Sequence, residues 1–123
     1  MKLRVDVKGL KPMQKKMLKR IKTEDIRPVI KRNVAEMAAR AITLAPVSTE
    51  KTKPGGPHGE LRKSITSKTS DTEGTVVATK DYAEYVELGT RFMKPQPYMR
   101  PALREQEPVF IRDMKKLIAR NFK

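Results

Sequence analysis

The sequence of 123 residues contains no cysteine and no tryptophan, and His58 is its only histidine. The absence of cysteine excludes disulfides, thiolate metal sites and cysteine catalysis. A single histidine also leaves no basis for a histidine-rich metal site or for a triad supported by a second histidine. We interpret His58 as a solvated loop residue, and the sequence predicts no catalytic residue, no metal site and no cofactor.

Long apolar runs are lacking as well. No run approaches the roughly 18 residues that span a bilayer, and residues 1–22 lack the apolar core of a secretory signal. Apolar residues make up only 37% of the chain. We expect a single domain over residues 1–123, a cytosolic and unprocessed chain without membrane contact, and a core so small that oligomerisation would add to its stability.

Positive charge is in excess and unevenly placed. The chain has 28 basic and 14 acidic residues, a formal net charge of +14. Residues 1–22 are the densest part, and a stretch of this kind faces water, a polyanion or an acidic partner protein. The sequence leaves these three alternatives open. The candidates for contact with DNA or an acidic partner are Lys11, Lys15, Lys16, Lys19, Arg20 and Lys22, together with Lys51 and Lys53 in a later loop.

Apolar spacing predicts an α+β fold, a small antiparallel sheet packed against one long helix, plus a C-terminal helix. The alternating pattern from Leu3 to Val7 predicts a first strand, and a basic helix follows from Pro12. The long helix is predicted over residues 26–44, with Asp25 as its N-cap.

The second half of the chain predicts a hairpin and two helices. Residues 46–60 have turn composition, so we expect a mobile loop there. Segments 64–70 and 75–80 are predicted to form a hairpin around a turn at residues 71–74. A short helix follows, with inward-facing side chains and Gly89 at its end. The C-terminal helix is predicted over residues 101–121, with Pro101 at its first position and an interruption at Pro108. The inward-facing side chains of the short helix are predicted to be Tyr82, Tyr85, Val86 and Leu88.

Residues 82–103 contain the most specific pattern, a corner between the last two helices. They read Tyr-Ala-Glu-Tyr-Val-Glu-Leu-Gly-Thr-Arg, and later Pro-Tyr-Met-Arg-Pro-Ala-Leu. This pattern resembles the signature of a family of small head–tail joining and tail-completion (neck) proteins of long-tailed bacteriophages. Segments 45–47 and 59–65 resemble an earlier part of the same signature, although residues 48–58 form a longer insertion than is usual in the family. The resemblance covers about residues 26–120.

The resemblance implies a non-enzymatic structural or assembly protein at the head–tail junction of a virion, assembled in the bacterial host cytoplasm. The implied partners are other neck, portal-side or tail proteins and further copies of the chain. A closed ring of six or twelve copies around the DNA path suits this role, with a monomer when isolated if the ring closes only on a template. The implied assembly interface is the corner motif, Tyr82, Tyr85, Glu87, Gly89, Thr90, Arg91, Pro97, Tyr98, Arg100 and Pro101.

The residues themselves allow other interpretations. The corner is either a purely structural bend or a surface that docks a neighbouring subunit, and both can hold together. Arg91 and Arg100 are expected to pair with Glu84 or Glu87. The positive net charge allows a second interpretation, a monomeric basic protein that binds nucleic acid without sequence preference. The paired carboxylates are the only feature that allows a third interpretation, a metal-dependent nuclease.

Overall fold

Five helices and three strands make up the part of the chain that the computed structural model describes, residues 1–6, 10–47, 55, 58–70 and 73–122. The α+β class predicted from the sequence is confirmed. In chain order the elements are β1 (Lys2–Asp6), α1 (Pro12–Leu18), α2 (Thr23–Leu44), α3 (Glu60–Lys63), β2 (Ile65–Thr69), β3 (Glu73–Ala78), α4 (Ala83–Leu88) and α5 (Met99–Asn121).

The three strands form one antiparallel sheet in the order β1-β3-β2. The register opposes Leu3 to Val76 and Ile65 to Ala78, so these four side chains share a face, and all are buried. Helix α2 contacts β2 and β3, α5 contacts β1, and the two helices contact each other. The apolar core therefore lies between the sheet and this pair of long helices.

Helix α2 approaches the sheet most closely at Gly74 in β3. A Cβ atom at this position would overlap with Cγ2 of Val34 and would lie 3.4 Å from Cγ2 of Ile30. Both helix side chains are fully buried. Only glycine leaves room for the helix here, because any side chain would displace a packed residue.

Helices α2 and α5 run antiparallel. Asn33 in the middle of α2 bonds to Asp113 in the second half of α5, and Arg40 near the end of α2 bonds to Glu105 in the first half of α5. The start of α2 and the end of α5 therefore lie at one end of the molecule. The end of α2 and the start of α5 lie at the other.

The start of α2 differs from its predicted position. The helix begins at Thr23 with Lys22 as N-cap, so Asp25 lies inside the first turn instead of capping it. An acidic side chain in the first turn is stabilised by the partial positive charge of the helix N-terminus. The preference of aspartate for N-caps and its preference for the first turn give the same sequence signal.

The predicted hairpin is confirmed, but its borders are shifted. Glu73 and Gly74, predicted as part of the turn, belong to β3, where they pair with β1. The residues directly before the first hairpin strand form the one-turn helix α3, which the sequence did not predict. The predictions for Val7, for the turn at residues 71–72 and for most of the loop at 46–60 lie outside the described residues.

The C-terminal helix is continuous from Met99 to Asn121, so the prediction that Pro108 either kinks the helix or divides it into two segments is wrong as to the division. Pro108 removes one amide donor, which leaves the carbonyl of Arg104 without a helical partner. Both residues lie on the exposed side of α5, where water can bond that carbonyl. Pro101, predicted at the first helical position, is the third residue of the helix.

Candidate functional site

Glu87 is the centre of the corner between α4 and α5. Its carboxylate is buried, with the residue only 2% exposed. Oε2 accepts hydrogen bonds from the backbone amides of Tyr98 at 2.7 Å and Met99 at 2.9 Å, and Oε1 accepts one from Arg100 at 2.8 Å. A carboxylate of α4 therefore caps the N-terminus of α5.

This arrangement accounts for every amide at the start of α5. The first four amides of an α-helix have no partner inside the helix. Glu87 takes those of Tyr98, Met99 and Arg100, and the fourth position is Pro101, which has no amide hydrogen. The negative charge also lies at the positive end of the helix dipole. The acid and the proline of the motif thus have one shared structural role.

Gly89 allows the chain to turn back after α4. Its φ of 77° and ψ of 169° lie in a region that only glycine adopts readily. A Cβ atom there would lie 2.8 Å from the ring of Pro95. The next residues form a tight turn in which Thr90 and Met93 exchange backbone hydrogen bonds of 2.9 and 3.2 Å. Phe92 lies at the tip of this turn.

Tyr98 fastens the corner from inside. The residue is fully buried, and its hydroxyl donates a hydrogen bond of 3.2 Å to the carbonyl of Ala83 at the start of α4. Burial, followed by the nearby charge of Glu87, raises the pKa of Tyr98 to about 12. The phenol therefore stays protonated and keeps donating at neutral pH.

The corner exposes several large apolar side chains among charged residues. Four large side chains are exposed at its surface, and the fractions reach 60% for Tyr85 and 90% for Phe92. We call Tyr82, Tyr85, Leu88 and Phe92 the apolar surface. The first three are spaced three residues apart along α4, so they are neighbours on the helix surface. The prediction that Tyr82, Tyr85 and Leu88 face inward is wrong, because α4 buries Ala83 and Glu87 instead.

The two arginines of the motif make different contacts from those predicted. The guanidinium carbon of Arg91 lies 5.4 Å from the centroid of the Phe92 ring, which is a cation–π contact. Arg100 reaches Glu87 through its backbone amide. The predicted ion pairs with Glu84 or Glu87 are replaced because backbone amides already fill the carboxylate of Glu87.

The other predicted site residues fall into three groups. Within the motif, Glu87 and Tyr98 are buried, Gly89 and Pro101 are half-buried, and the remaining six are exposed. In the basic stretch, Lys15 is half-buried and the others are exposed, namely Lys11, Lys16, Lys19, Arg20 and Lys22. Lys51 and Lys53 lie outside the described residues.

A buried polar network between α2 and α5 was not predicted. Asn33 and Gln106 are fully buried, and Nε2 of Gln106 donates to Oδ1 of Asn33 at 2.7 Å. Nδ2 of Asn33 donates to Asp113 at 3.0 Å, and Nε of Arg40 donates to Gln106 at 3.0 Å. Asn33 lies in the apolar stripe of α2, a weak signal of a buried partner. That partner is 80 residues away in the chain.

Asp113 joins this network to the surface. Burial raises its pKa, but the hydrogen bonds from Asn33 and Arg32 and the charges of Arg32 and Arg112 outweigh burial, so the pKa lies below its usual value. Nη2 of Arg32 donates to Oδ2 at 3.0 Å, and Nε of Arg112 lies 3.7 Å from Oδ1. The carboxylate is thus ionised and shared by two arginines.

These arginines line an open groove of about 450 Å³ between α2 and α5. We call it the basic groove and define it by its four cations, Arg32, Arg112, Lys116 and Arg120. Glu36 and Asp113 also line it, and Glu36 accepts a hydrogen bond of 2.9 Å from Gln106. Within residues 10–47 and 73–122, no ion pair involves Lys116 or Arg120.

Comparison with known protein families finds one matching family model. Residues 8–89 match the model of the HK97-gp10-like family, described as bacteriophage HK97 gp10, a candidate tail component. The match covers about two thirds of the sequence. The chain belongs to the HK97-gp10-like family. No curated protein and no solved structure matches it.

Membership in this family makes the chain a phage structural protein and agrees with the resemblance to neck proteins noted in the sequence. The match ends at Gly89, so it includes Glu87 and α4 but not α5. Over the described ranges, no helix is long and apolar enough to cross a membrane. No three acidic or histidine side chains gather there as ligands of a metal ion.

Proposed function

We propose that this member of the HK97-gp10-like family is a non-enzymatic structural protein of the head–tail junction. It forms a ring of six or twelve copies around the DNA path and docks onto a neighbouring head or tail protein through the apolar surface. The observation that carries the proposal is the exposure of Tyr85, Leu88 and Phe92 on a corner in which, among the described residues, every buried side-chain polar atom has a hydrogen-bond partner.

Exposed aromatic side chains are typical anchors of protein interfaces. Tyrosine and phenylalanine are enriched at interface cores, and a few such anchors supply most of the binding energy. Contiguous exposed apolar patches mark interaction sites in soluble proteins. The apolar surface has this character, with Phe92 and Tyr85 as its most exposed members.

A rigid support makes these anchors effective. Binding costs less free energy when the binding side is already ordered. Glu87 fixes the start of α5, and the mutual bonds of Thr90 and Met93 fix the turn that presents Phe92. The structural and the docking interpretations of the motif therefore support each other, because the buried part orders the exposed part.

The experiment uses a phage or an inducible prophage that carries the gene. The double variant Tyr85→Ser, Phe92→Ser should leave DNA-filled heads and tails unjoined in electron micrographs. The yield of infective particles should fall by at least about a hundredfold, because each anchor contributes about 2 kcal/mol. Met13→Ser is the control, since the exposed fraction of Met13, 74%, lies between those of Tyr85 and Phe92 and the residue lies on α1. Normal joining by the double variant would contradict the proposal.

The ring is tested separately by counting copies in purified virions with quantitative mass spectrometry. Six or twelve copies per particle are expected, because these numbers match the symmetry of a tail or a portal. Hundreds of copies would indicate a tail-tube role instead. Light scattering at two concentrations and two salt levels then shows whether the isolated chain forms the ring alone or needs a template.

The exposed cations of α1 favour a second candidate, a monomeric protein that binds nucleic acid without sequence preference. Lys16 on α1 is exposed, and so are Lys19 and Arg20 directly after this helix. This function predicts DNA affinity in the free protein together with absence from the finished virion. Mass spectrometry of purified particles separates the two candidates, because only a junction protein stays in the particle.

A further inference from the structure

We propose that the basic groove binds the phosphate backbone of double-stranded DNA. This goes beyond the proposed function, which names no side chain that contacts DNA, and beyond the basic stretch at residues 1–22 that the sequence indicated. The groove lies between the first half of α2 and the second half of α5. Three of its four cations come from residues 69–123, where ten basic residues are nearly balanced by eight acidic ones. The folded structure, and not the local charge density, brings them together.

The cations on α5 form a row. Arg112, Lys116 and Arg120 are each four residues apart, so they lie on one side of the helix at intervals of about 6 Å. Arg32 on α2 faces this row across the groove. A strand of repeating phosphates presents charges along a line, and such a row can contact several of them at once.

Two of the cations are held in place. Asp113 bonds to Arg32 and lies beside Arg112, yet its side chain is only 9% exposed. The side chains of Arg32 and Arg112 are 59% and 62% exposed. The hydrogen bond to Asp113 therefore orients the guanidinium group of Arg32 from below, and the charge of the carboxylate attracts Arg112 at 3.7 Å without a hydrogen bond. Fixed arginines lose less entropy when they bind a phosphate.

The other two cations carry no ion pair within the described residues, as noted above. The acidic lining residues do not cancel the groove's attraction. Asp113 is shared by two arginines, and Glu36 already accepts a hydrogen bond from Gln106. Four cations and two carboxylates line the groove itself. Glu24 and Asp25 line the adjoining hollow that shares Arg32 and Arg120, so Arg112 and Lys116 are the cations farthest from acidic neighbours other than Asp113 and Glu36.

The lining favours a nucleic acid over an acidic protein. Anchors of protein interfaces are enriched in aromatic side chains and arginine, and the groove supplies arginines but no aromatic side chain. Its apolar residues Val29 and Leu117 are buried and Val109 is half-buried. Phosphate contacts need only accessible arginine and lysine donors. The groove and the apolar surface thus differ in the partner that each can hold.

The test measures binding of a fluorescent 20-base-pair DNA to the full chain by anisotropy at several salt concentrations. The variant Lys116→Gln, Arg120→Gln should weaken binding roughly tenfold or more near physiological salt. The slope of log affinity against log salt should decrease by about 2, because two phosphate contacts are lost. Random DNA sequences should bind equally.

The control variant Arg104→Gln, Lys68→Gln removes the same charge from the other end of α5 and from β2. Both residues are exposed, and at physiological salt such distant charges are largely screened. Equal losses for the two variants would overturn the proposal, since net charge alone would then explain binding. Competition by poly-glutamate as strong as that by unlabelled DNA would also overturn it and indicate an acidic protein partner.

The outcome is independent of the docking proposal. Thermal unfolding of each variant should match the parent chain, because all four side chains are exposed. The phage experiment with Tyr85 and Phe92 addresses the other end of the molecule. If the Tyr85 and Phe92 variant fails to join heads to tails but the Lys116 and Arg120 variant binds DNA like the parent chain, the proposed function is supported and only the DNA-binding role of the groove is wrong.

Discussion

The two ends of α5 differ in what they bury and what they expose. At the N-terminal end, the charged side chain of Glu87 is buried and the aromatic ring of Phe92 is 90% exposed. At the C-terminal end, Leu117 is buried and the cations Lys116 and Arg120 are exposed. Both halves of the helix contact a buried carboxylate, Glu87 or Asp113, but one end presents aromatic rings to solvent and the other presents cations.

This difference shows how one helix can serve two kinds of surface. Exposing apolar rings is unfavourable in water, so the backbone beneath them is held by a carboxylate that satisfies three amides. Exposing cations is favourable in water, so the groove needs fewer internal bonds and only Asp113 to orient its arginines. Mutations should therefore affect stability strongly beneath the apolar surface and weakly along the groove.

The largest effect is expected for Glu87→Ala. The change leaves three buried amides at the start of α5 without an acceptor, at about 1–3 kcal/mol for each. We expect the free energy of unfolding to fall by about 4 kcal/mol, measured by urea denaturation. Glu84→Ala on the exposed side of α4 is the matched control, with an effect within about 0.5 kcal/mol. Similar losses of unfolding free energy for both variants would show that the buried carboxylate of Glu87 stabilises the fold no more than the exposed carboxylate of Glu84.

A smaller but still large effect is expected for Gly89→Ala. The new side chain adopts a glycine-only conformation and collides with Pro95, which together should cost about 3 kcal/mol. Gly59→Ala is the matched control, because its φ is 79° but no atom lies within 4 Å of the added Cβ. That variant should lose only about 1 kcal/mol. Equal melting temperatures for the two variants would show that the contact with Pro95 is unimportant.

Asp113→Asn tests the other end of α5. It should lower the free energy of unfolding by about 2 kcal/mol at pH 7. The folded state lowers the pKa of Asp113, so its contribution is complete above the unfolded-chain value of about 3.9. The contribution is then lost as the pH falls through the lower folded-state pKa. The stability gap between parent and variant should be constant from pH 7 to about pH 5 and narrow below about pH 4.

Glu105→Gln is the control for this pH dependence. Glu105 forms an exposed ion pair of 2.8 Å with Arg40, and exposed pairs contribute less than about 1 kcal/mol. Chemical denaturation at each pH measures how far the free energy of unfolding of each variant differs from that of the parent chain. A gap for Asp113→Asn that widens in acid would show that the carboxylate is not stabilised by its arginines.

The smallest effect is expected for Phe92→Ala. The ring is almost fully exposed, so its removal should change the free energy of unfolding by less than about 0.5 kcal/mol. Tyr98→Phe, which removes only the buried hydrogen bond to Ala83, should cost about 1 kcal/mol. A larger loss from the exposed phenylalanine than from the buried tyrosine would mean that the apolar surface is part of the core.

The sequence predicts the long helix α2 well, because its core positions repeat with helical spacing. Ile26, Val29, Ile30, Val34 and Met37 are all buried as that spacing requires. The hairpin follows from β-branched segments on either side of polar turn residues. These features depend on local periodicity, and local periodicity is visible without the fold.

The same rule fails at α4 for a physical reason. Apolar spacing assumes that large apolar residues face the core, but α4 turns Glu87 inward because three amides of α5 need an acceptor there. Tyr82 and Tyr85 are then left on the outside. The sequence contains the acid and the amide-free Pro101, but their spacing alone does not show that the two helix ends meet.

Contacts between distant segments are equally hidden. Asn33, Gln106 and Arg32 read as ordinary polar helix residues, and their partners lie 66 to 81 residues away in the chain. The row of cations at 112, 116 and 120 can be read from the sequence, but the opposite wall of the groove cannot. The motif at residues 82–103 indicated the phage family without revealing how its residues are arranged.

The pairing of β1 has a consequence for the order of folding. Asp6 pairs with Glu73 and Lys2 with Val77, so β1 leaves the ribosome 67 to 75 residues before its partner strand. The contacts of Glu87 with α5 span only 11 to 13 residues. Contacts that close long loops form more slowly than those that close short ones. Strand β1 therefore stays unpaired until β3, the central strand, has been synthesised. The N-terminal edge of the sheet is therefore completed only after the middle of the chain has been made.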